Sequence, residues 1–536
     1  MDFPARRPRL ALALFCLLCW LPGFFTLPPG DRDESRFAQA TKQMTETGDY
    51  VRIMNGDVPR NRKPIGIHWA QAPFALAAQA AGLARANPIW PYRLPSLLGG
   101  LAAVLATFEL GALLIDRRAG LLAGAMLAAS VILVTEAHIA KTDAALLGAT
   151  TLAMLGLARA WLGVARLRDA LLFWAALGAG ILLKGPITPM VAGLAALGLA
   201  LSARRGRWLL ALRPGFGLPL LLLIVLPWFV AIGLATHGAF FRDAVGGDLG
   251  RKLASGDNAH GAPPGLYLLL LPLLGFPGTL PILRALPDAW RTRREAVTRF
   301  LLAWAVPSWL VFEAVPTKLP HYTLPLYPAL CLLGARWALD PARGAPPRWL
   351  AWLSAGGLAV AACVLGFGAA ALPVALHAAW WLGLPALAAA VLVASLAWNR
   401  RVPAAALVAA PLLYAGVLGL DLPAVPALWI APRVVATLTR VWPDRPADGT
   451  GLAAVGFHEP SLMFLAGTHT QLLPTGWDGA RALADGAARV VLVGDRDMAA
   501  FGAEATRLGL APRRLGEVGG FNYSRGRPVV LTLFGR

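Results

Sequence analysis

Apolar runs of about 17–25 residues, long enough to cross a bilayer as helices, recur from the start of the chain to about residue 430, separated by short polar turns. The first run, 10–28, follows Arg6, Arg7 and Arg9 and ends at Pro28-Pro29. It has the layout of a signal peptide but lacks a small-x-small cleavage site, so it is read as a retained span. Residues 29–91 then form a long first external loop. Within it, 34–47 and 68–84 show helical periodicity but are too polar or too short to span, which predicts helices lying along the membrane interface. The next span is 93–114, and the alternation continues to a total of about thirteen.

After about residue 430 the pattern changes period. Gly451–Phe457 and Ala488–Gly494 read as buried strands, 459–467 and Arg496–Leu508 as helices, and Leu515–Phe534 as a hairpin-like pair. Val493-Gly494-Asp495 resembles the end of a nucleotide-binding strand, but no glycine-rich turn follows it, and an ordinary strand-to-helix turn is the simpler reading. The fold class is therefore a polytopic α-helical membrane protein with a small C-terminal α/β domain. The domains are 1–429, containing the spans and the loop 29–91, and 430–536.

Composition and charge fix the orientation. The chain has 536 residues, 57% hydrophobic and 15% charged, whereas soluble proteins are roughly a quarter charged. A net charge of +20 raises the question of nucleic acid. The arginines instead fall in clusters between spans: Arg117/Arg118, Arg166/Arg168, Arg204/Arg205/Arg207, Arg291/Arg293/Arg294, Arg336/Arg343/Arg348 and Arg400/Arg401. That is the positive-inside pattern, and nucleic acid is not expected as a partner. With the N-terminus cytoplasmic, one orientation puts every cluster inside and the C-terminal domain outside. Cys16, Cys19, Cys331 and Cys363 all lie in apolar segments and read as packing thiols.

The same orientation gathers the polar motifs on the external face. Ionisable residues beside a membrane are costly and tend to mark a site. Asp33 and Glu34 open the 34–47 helix; either is a charge favoured by the helix dipole or a general base kept ionised by Arg36 and Lys63. Arg60, Arg62 and Lys63 are a solvated charge run or a phosphate cradle, and the apolar Pro64-Ile65-Gly66-Ile67 that follows turns Lys63 back to the bilayer. Lys184 stands alone between two apolar runs, either snorkelling or facing a cavity opened where Gly185-Pro186 breaks the helix. His138 and Asp143 share one external turn, Lys318, His321 and Tyr322 another, and Arg242, Arg251, Lys252 and His260 lie in the second long external loop.

Asp33-Glu34-Ser35-Arg36-Phe37-Ala38, Gly48-Asp49-Tyr50-Val51, Lys63-Pro64-Ile65, Arg93-Leu94-Pro95-Ser96, Leu183-Lys184-Gly185-Pro186 and Lys318-Leu319-Pro320-His321-Tyr322 together resemble, in order, the bacterial lipid A aminoarabinose transferases (ArnT-like) and protein O-mannosyltransferases. Gly519–Ser524 fits more loosely. The resemblance implies a GT-C glycosyltransferase of the bacterial inner membrane, with its active site and C-terminus periplasmic. It would move a sugar from a polyprenyl-phosphate donor to lipid A or another envelope acceptor.

On that resemblance Asp33 and Asp143 match the catalytic carboxylates, and Lys63, Lys184 and Tyr322 match positions that engage the donor phosphate. From their place among the polar groups of the external face, Arg36, Arg62 and Arg251 are read as further phosphate contacts, and Glu34, His138, His260, Lys318 and His321 as substrate contacts. One departure matters. The residue before the Lys-Pro pair is commonly Glu in ArnT-like proteins, where it is linked to a metal; here it is Arg62, and a cation repels a divalent ion. No cofactor and no metal is therefore expected. A lipid-linked sugar transporter or flippase shares the basic cavity, but such proteins carry repeats and midplane polar helices, and no internal repeat is found here. A lipid A-binding structural protein requires no grouping of carboxylate and lysines.

Overall fold

In a computed structural model of the chain, residues 3–83, 87–249, 261–340, 342, 345–398 and 403–536 are described. Among them seven helices are long and apolar enough to cross a membrane, or eight if Arg117–Ala129 and Val131–Ala137, bent by 62° at Ser130, form one broken span. Other apolar runs counted among the thirteen fold as shorter helices, such as Pro8–Trp20 and Ile187–Ala203. Leu266–Leu274 and Thr279–Arg284 are separated where Gly275, Pro277 and Gly278 interrupt the run, since glycine and proline weaken helix interiors.

The helical core is centred on Trp20, Phe24, Val104, Leu127, Leu147 and Tyr327, all buried. The indole of Trp20 donates to the Ala128 carbonyl at 2.9 Å, tying the first helix to its neighbours. Cys16, Cys19 and Cys331 are buried free thiols. One crossing positions the site. A Cβ built on Gly99 would lie 2.4 Å from the Cα of Ala145, and one on Gly148 would lie 2.6 Å from the Gly99 carbonyl. Trp90–Leu114 and Asp143–Trp161 thus meet backbone to backbone, as small residues allow in membranes. The end of the first with Arg93 and Ser96 and the start of the second with Asp143 are brought side by side.

Both helices expected in the first loop form, as Asp33–Thr47 and Gly66–Ala80. Neither is polar all round. The first buries Phe37, Ala38, Ala40 and Met44 and ends at Gly48, whose left-handed φ of 71° suits glycine at a helix C-terminus. The arginines of the N-terminus and of the Asp116–Arg118 turn meet: Arg6, Arg7, Arg9 and Arg117 line one cleft with Glu109, and Arg9 pairs with Glu109 at 2.6 Å.

The C-terminal segment builds a five-stranded mixed sheet in the order Gln471–Leu473, Leu452–Val455, Val490–Gly494, Arg527–Gly535, Arg513–Asn522. The two central hydrophobic strands are fully buried. The short edge strand Gln471–Leu473 and the helix Gly476–Ala484 were not legible in sequence, because the strand is too short to show a period. The helix Pro460–Ala466 packs on Asp33–Thr47: Lys42 Nζ donates to the Phe464 carbonyl at 3.2 Å, and Gln39 Nε2 to Thr468 Oγ1 at 2.9 Å.

Candidate active site

Lys184 is the last residue of the helix Leu167–Lys184, which stops because Gly185 adopts φ +63° and Pro186 follows without an N–H. A lysine there is favoured by the carbonyl end of the helix dipole. Its ammonium bonds Asp143 Oδ1 and stands 4.9 Å over the Tyr322 ring. Asp143 opens the next bundle helix, and two more groups close on its other oxygen: Lys141 Nζ at 3.4 Å and His321 Nε2 at 3.7 Å. Lys141 also donates to Glu136 Oε1 at 3.1 Å and lies 3.3 Å from His321 Nδ1. The turn carrying Lys141 is held by Ser96, whose hydroxyl lies 2.7 Å from the Ile139 carbonyl and 3.0 Å from that of Lys141.

Lys63 reaches the same place from the first loop. Ile65 and Ile67 are completely buried, and a Cβ at Gly66 would lie 2.7 Å from the Leu182 backbone, so the apolar continuation pins the loop against the Leu167–Lys184 helix. The ammonium of Lys63 and the guanidinium of Arg60 stand 5.0 and 4.4 Å over the Phe37 ring. Burial and the nearby Lys184 pull the Lys63 ammonium down to about 7, against the opposing pull of Asp33 and Asp143. Burial would raise the Asp33 carboxyl, but Lys63, Lys141, Arg60 and Arg36 outweigh it and hold Asp33 below its ordinary value. Asp33 pairs with Arg36 at 3.6 Å and keeps 45% of its side chain exposed, so an ionised carboxylate beside the cations remains accessible from the aqueous side.

Lys63, Asp143, Lys184, His321 and Tyr322 of this cluster line a cavity of about 710 Å³, and Asp33 and Lys141 lie beside it, outside its lining. Arg62, Lys63, Asp143, Lys184, His321 and Tyr322 contribute its charged and polar lining, and Ile187, Met190, Phe229, Phe240, Phe241 and Phe312 much of its apolar lining. A cationic head on an apolar body is the complement of a phosphate on a hydrocarbon chain.

Three expected substrate contacts lie elsewhere. Glu34 is buried, with Arg93 donating to both oxygens at 2.8 and 3.0 Å; the N–H groups of Ala140 and Gly30 also donate to it, at 3.0 and 2.7 Å. Its bonding capacity is taken up by the fold. His138 is buried, its ring nitrogens 2.7 and 2.9 Å from the carbonyls of Val134 and Pro22. Lys318 donates to the Glu313 and Val315 carbonyls at 2.8 and 2.6 Å, satisfying the end of the helix Ala296–Ala314, whose last carbonyls lack intrahelical partners. Arg251 and His260 lie outside the described residues.

Conversely, Glu136 and Lys141 belong to the cluster and were missed. Lys141 lies in the turn that His138 and Asp143 share, two residues before Asp143, but nothing local separates it from a solvated lysine.

The tail completes the frame. Tyr523 Oη accepts the Asp31 N–H at 2.5 Å, and Arg32, at φ +63° and ψ −101°, donates to the Ser524 carbonyl. The backbone just before Asp33 is thus held in a strained conformation by the hairpin tip, which is itself anchored by Asn522 Nδ2 on Glu459 Oε1 at 2.9 Å. Replacing Tyr523 by Phe removes this bond and is expected to destabilise the fold by about 1 kcal/mol, the worth of one net hydrogen bond. Thermal unfolding of the variant in detergent checks this.

Residues 63–230 match the dolichyl-phosphate-mannose-protein mannosyltransferase family, a stretch that contains Lys63, Glu136, Lys141, Asp143 and Lys184. The undecaprenyl phosphate-alpha-4-amino-4-deoxy-L-arabinose arabinosyl transferase 1 of Pseudomonas fluorescens is 28% identical over 356 residues, covering 64% of this chain and 61% of that protein. The corresponding transferase of Pseudomonas aeruginosa is 30% identical over 313 residues, covering 56% and 54%. The chain therefore spans about three fifths of the length of these relatives. The crystal structure of ArnT from Cupriavidus metallidurans bound to undecaprenyl phosphate superposes with a TM-score of 0.74 at 19% identity, over 99% of this chain and 98% of that one.

The chain has the fold of ArnT. The apo oligosaccharyltransferase of Archaeoglobus fulgidus superposes more distantly, with a TM-score of 0.51 at 11% identity over 92% of this chain and 70% of that one. The ArnT-like fold covers the C-terminal sheet domain as well as the spans, since the ArnT superposition extends over nearly the whole chain.

Proposed function

We propose that the chain is a membrane glycosyltransferase that takes a sugar from a polyprenyl-phosphate donor and delivers it to lipid A or another envelope acceptor. The observation that carries this reading is a cavity lined both by Lys63, Lys184 and Arg62 and by the apolar Phe229, Phe240 and Phe312. The relatives act with undecaprenyl phosphate-linked 4-amino-4-deoxy-L-arabinose by name, which makes that pentose the first donor to test. The chain is read as multi-pass in the bacterial cytoplasmic membrane, with the cavity head and the sheet domain on the periplasmic side.

In this reading the acceptor oxygen attacks the anomeric carbon, with inversion. The bond from that carbon to the phosphate oxygen breaks, and its electrons pass to the phosphate. Lys63, Lys184 and Arg62 neutralise the charge that develops there. Asp33 accepts the proton of a hydroxyl acceptor; a phosphate acceptor arrives ionised and leaves Asp33 to orient it. Asp143, ringed by Lys184, Lys141 and His321, is a poor base and serves to fix the cations. Purified protein in nanodiscs, supplied with undecaprenyl-phosphate aminoarabinose and lipid A, is expected to yield glycosylated lipid A by mass spectrometry. Movement of the donor across the bilayer with no product would replace this reading by transport.

Two further outcomes follow from the charges. Lys63 loses its proton as pH rises through about 7, and only the ammonium holds a phosphate. Affinity for the phosphodiester donor is therefore expected to be highest near pH 6 and to fall roughly three- to tenfold by pH 8, since Lys184 and Arg62 remain. Lys63→Arg flattens the profile, because guanidinium stays charged. Equilibrium binding of the sugar-linked donor reads both.

Arg62, exposed at the lip of the cavity, presents a planar two-pronged donor to phosphate oxygens and a charge that does not suit a divalent ion. Transfer is expected to survive a strong chelator, and Arg62→Glu to weaken donor binding roughly tenfold unless a divalent metal is supplied. Activity lost to chelation and restored by zinc would show this charge argument to be wrong.

A further inference from the structure

His321 is fixed by its neighbours more tightly than a cavity histidine needs to be. An ammonium has three donors and no acceptor, so the Lys141 Nζ that lies 3.3 Å from His321 Nδ1 obliges that nitrogen to accept. In a neutral ring the proton then sits on Nε2. That nitrogen lies 3.7 Å from Asp143 Oδ2, beyond hydrogen-bond distance, on a side chain that lines the cavity. Lys141 is in turn placed by Glu136 Oε1 at 3.1 Å, and the other Glu136 oxygen is buried without a hydrogen-bond partner among the described residues.

We propose that Glu136 and Lys141 are positioning residues that hold His321 as the neutral Nε2–H tautomer, so that the cavity offers an uncharged hydrogen-bond donor to an oxygen of the donor phosphate. This rests on the transferase reading for its ligand, though not for its geometry. The charged groups facing His321 are Lys141 and Asp143 from the turn, Glu136 from the preceding helix, Lys184 from the helix end and Lys63 from the first loop. The Tyr322 ring meets it edge-on, 5.2 Å between centroids. Burial and the three lysines keep the imidazole far below its ordinary value despite Asp143. Such a group adds a donor at the phosphate that pH does not switch between about 6 and 8, unlike Lys63. Its N–H is too weakly acidic to be lost to the departing phosphate, so it stays a donor throughout.

Solid-state NMR of the full chain in nanodiscs, with ring-labelled histidine and His321→Gln as the subtraction spectrum, tests the tautomer without any transfer assay. The wild-type protein is expected to show His321 as Nε2–H from pH 8 down to about 5.5. In Lys141→Met, Glu136 and Asp143 have no lysine between them and the ring, and an imidazolium titrating above about 6.5 is expected. Its pH–rate profile is expected to gain that same ionisation, a change that loss of packing alone does not produce. His321→Gln, whose side-chain amide keeps an N–H near the Nε2 position, is expected to retain roughly tenfold more turnover than His321→Leu.

A wild-type Nδ1–H tautomer or an imidazolium at pH 7 overturns the inference even if transfer is robust. An Nε2–H tautomer in a protein with no transfer activity upholds the positioning and removes the transferase reading instead.

Discussion

Asp33→Asn is expected to lower turnover by roughly 10²–10⁴, the usual contribution of a general base, with donor affinity within about twofold of wild type. Asparagine keeps the size and the first-turn position at the head of Asp33–Thr47 but accepts no proton. Lys63, Lys141, Arg60 and Arg36 hold the Asp33 carboxyl below its ordinary range, so it stays ionised across the whole assay range and the wild-type rate shows no acid limb from this group. The variant also reports the nucleophile. A hydroxyl acceptor needs its proton removed and suffers the full loss, whereas a phosphate acceptor needs only orientation and suffers about tenfold. Turnover with each acceptor, alongside donor binding, distinguishes these outcomes; full activity with both acceptors would remove Asp33 from the mechanism.

The second large effect is on the fold. Arg93→Met is expected to destabilise the protein by about 3–5 kcal/mol, the cost of leaving a buried charge without its partner. Arg93 and Glu34 are 2% and 6% exposed at the side chain. Arg93 also donates to the carbonyls of Phe24, Leu27 and Pro28 at 2.9, 3.0 and 3.1 Å, so it joins the end of the first span to the first loop. Removing Glu34 at the same time, as Arg93→Met with Glu34→Leu, is expected to recover only part of the loss. The charge mismatch disappears, but the three carbonyls and the N–H groups of Gly30 and Ala140 are left unpaired. Thermal unfolding in detergent gives the order wild type, double variant, single variant; a single variant as stable as wild type would show that the clamp is solvated.

The charged and apolar linings of the cavity meet because different segments converge by different means. Lys63 arrives on a loop pinned by Ile65 and Ile67, Lys184 at a helix end set by Gly185, and Asp143 at a helix start placed by the Gly99–Gly148 crossing. None of these three depends on the charge it carries. Substitutions that keep the backbone intact, such as those at Asp33 and Arg62, therefore probe chemistry, while those at Arg93 probe assembly.

The sequence by itself determined whatever is encoded locally. The two first-loop helices announce themselves by period, the Lys184 helix stops at its glycine and proline, and the buried strands of the tail read as unbroken apolar runs. The polar residues of the external face were found for the same reason, since a charge beside an apolar run is visible without knowing the fold. What each charge does was decided only in three dimensions. Asp33 and Glu34 are neighbours in the chain, yet one faces the aqueous side of the cation cluster and the other is consumed by an arginine 59 residues away.

Lys318 and His321 lie three apart; the first satisfies a helix end and the second lines the cavity. Glu136 and Lys141 carry no local signal, because a salt-bridged buried lysine and a solvated one are written with the same letter. Their roles follow from which helices cross at Gly99 and Gly148 and from what that crossing buries. Burial makes a partner obligatory, and the partner is supplied by a distant segment whose approach no local pattern records.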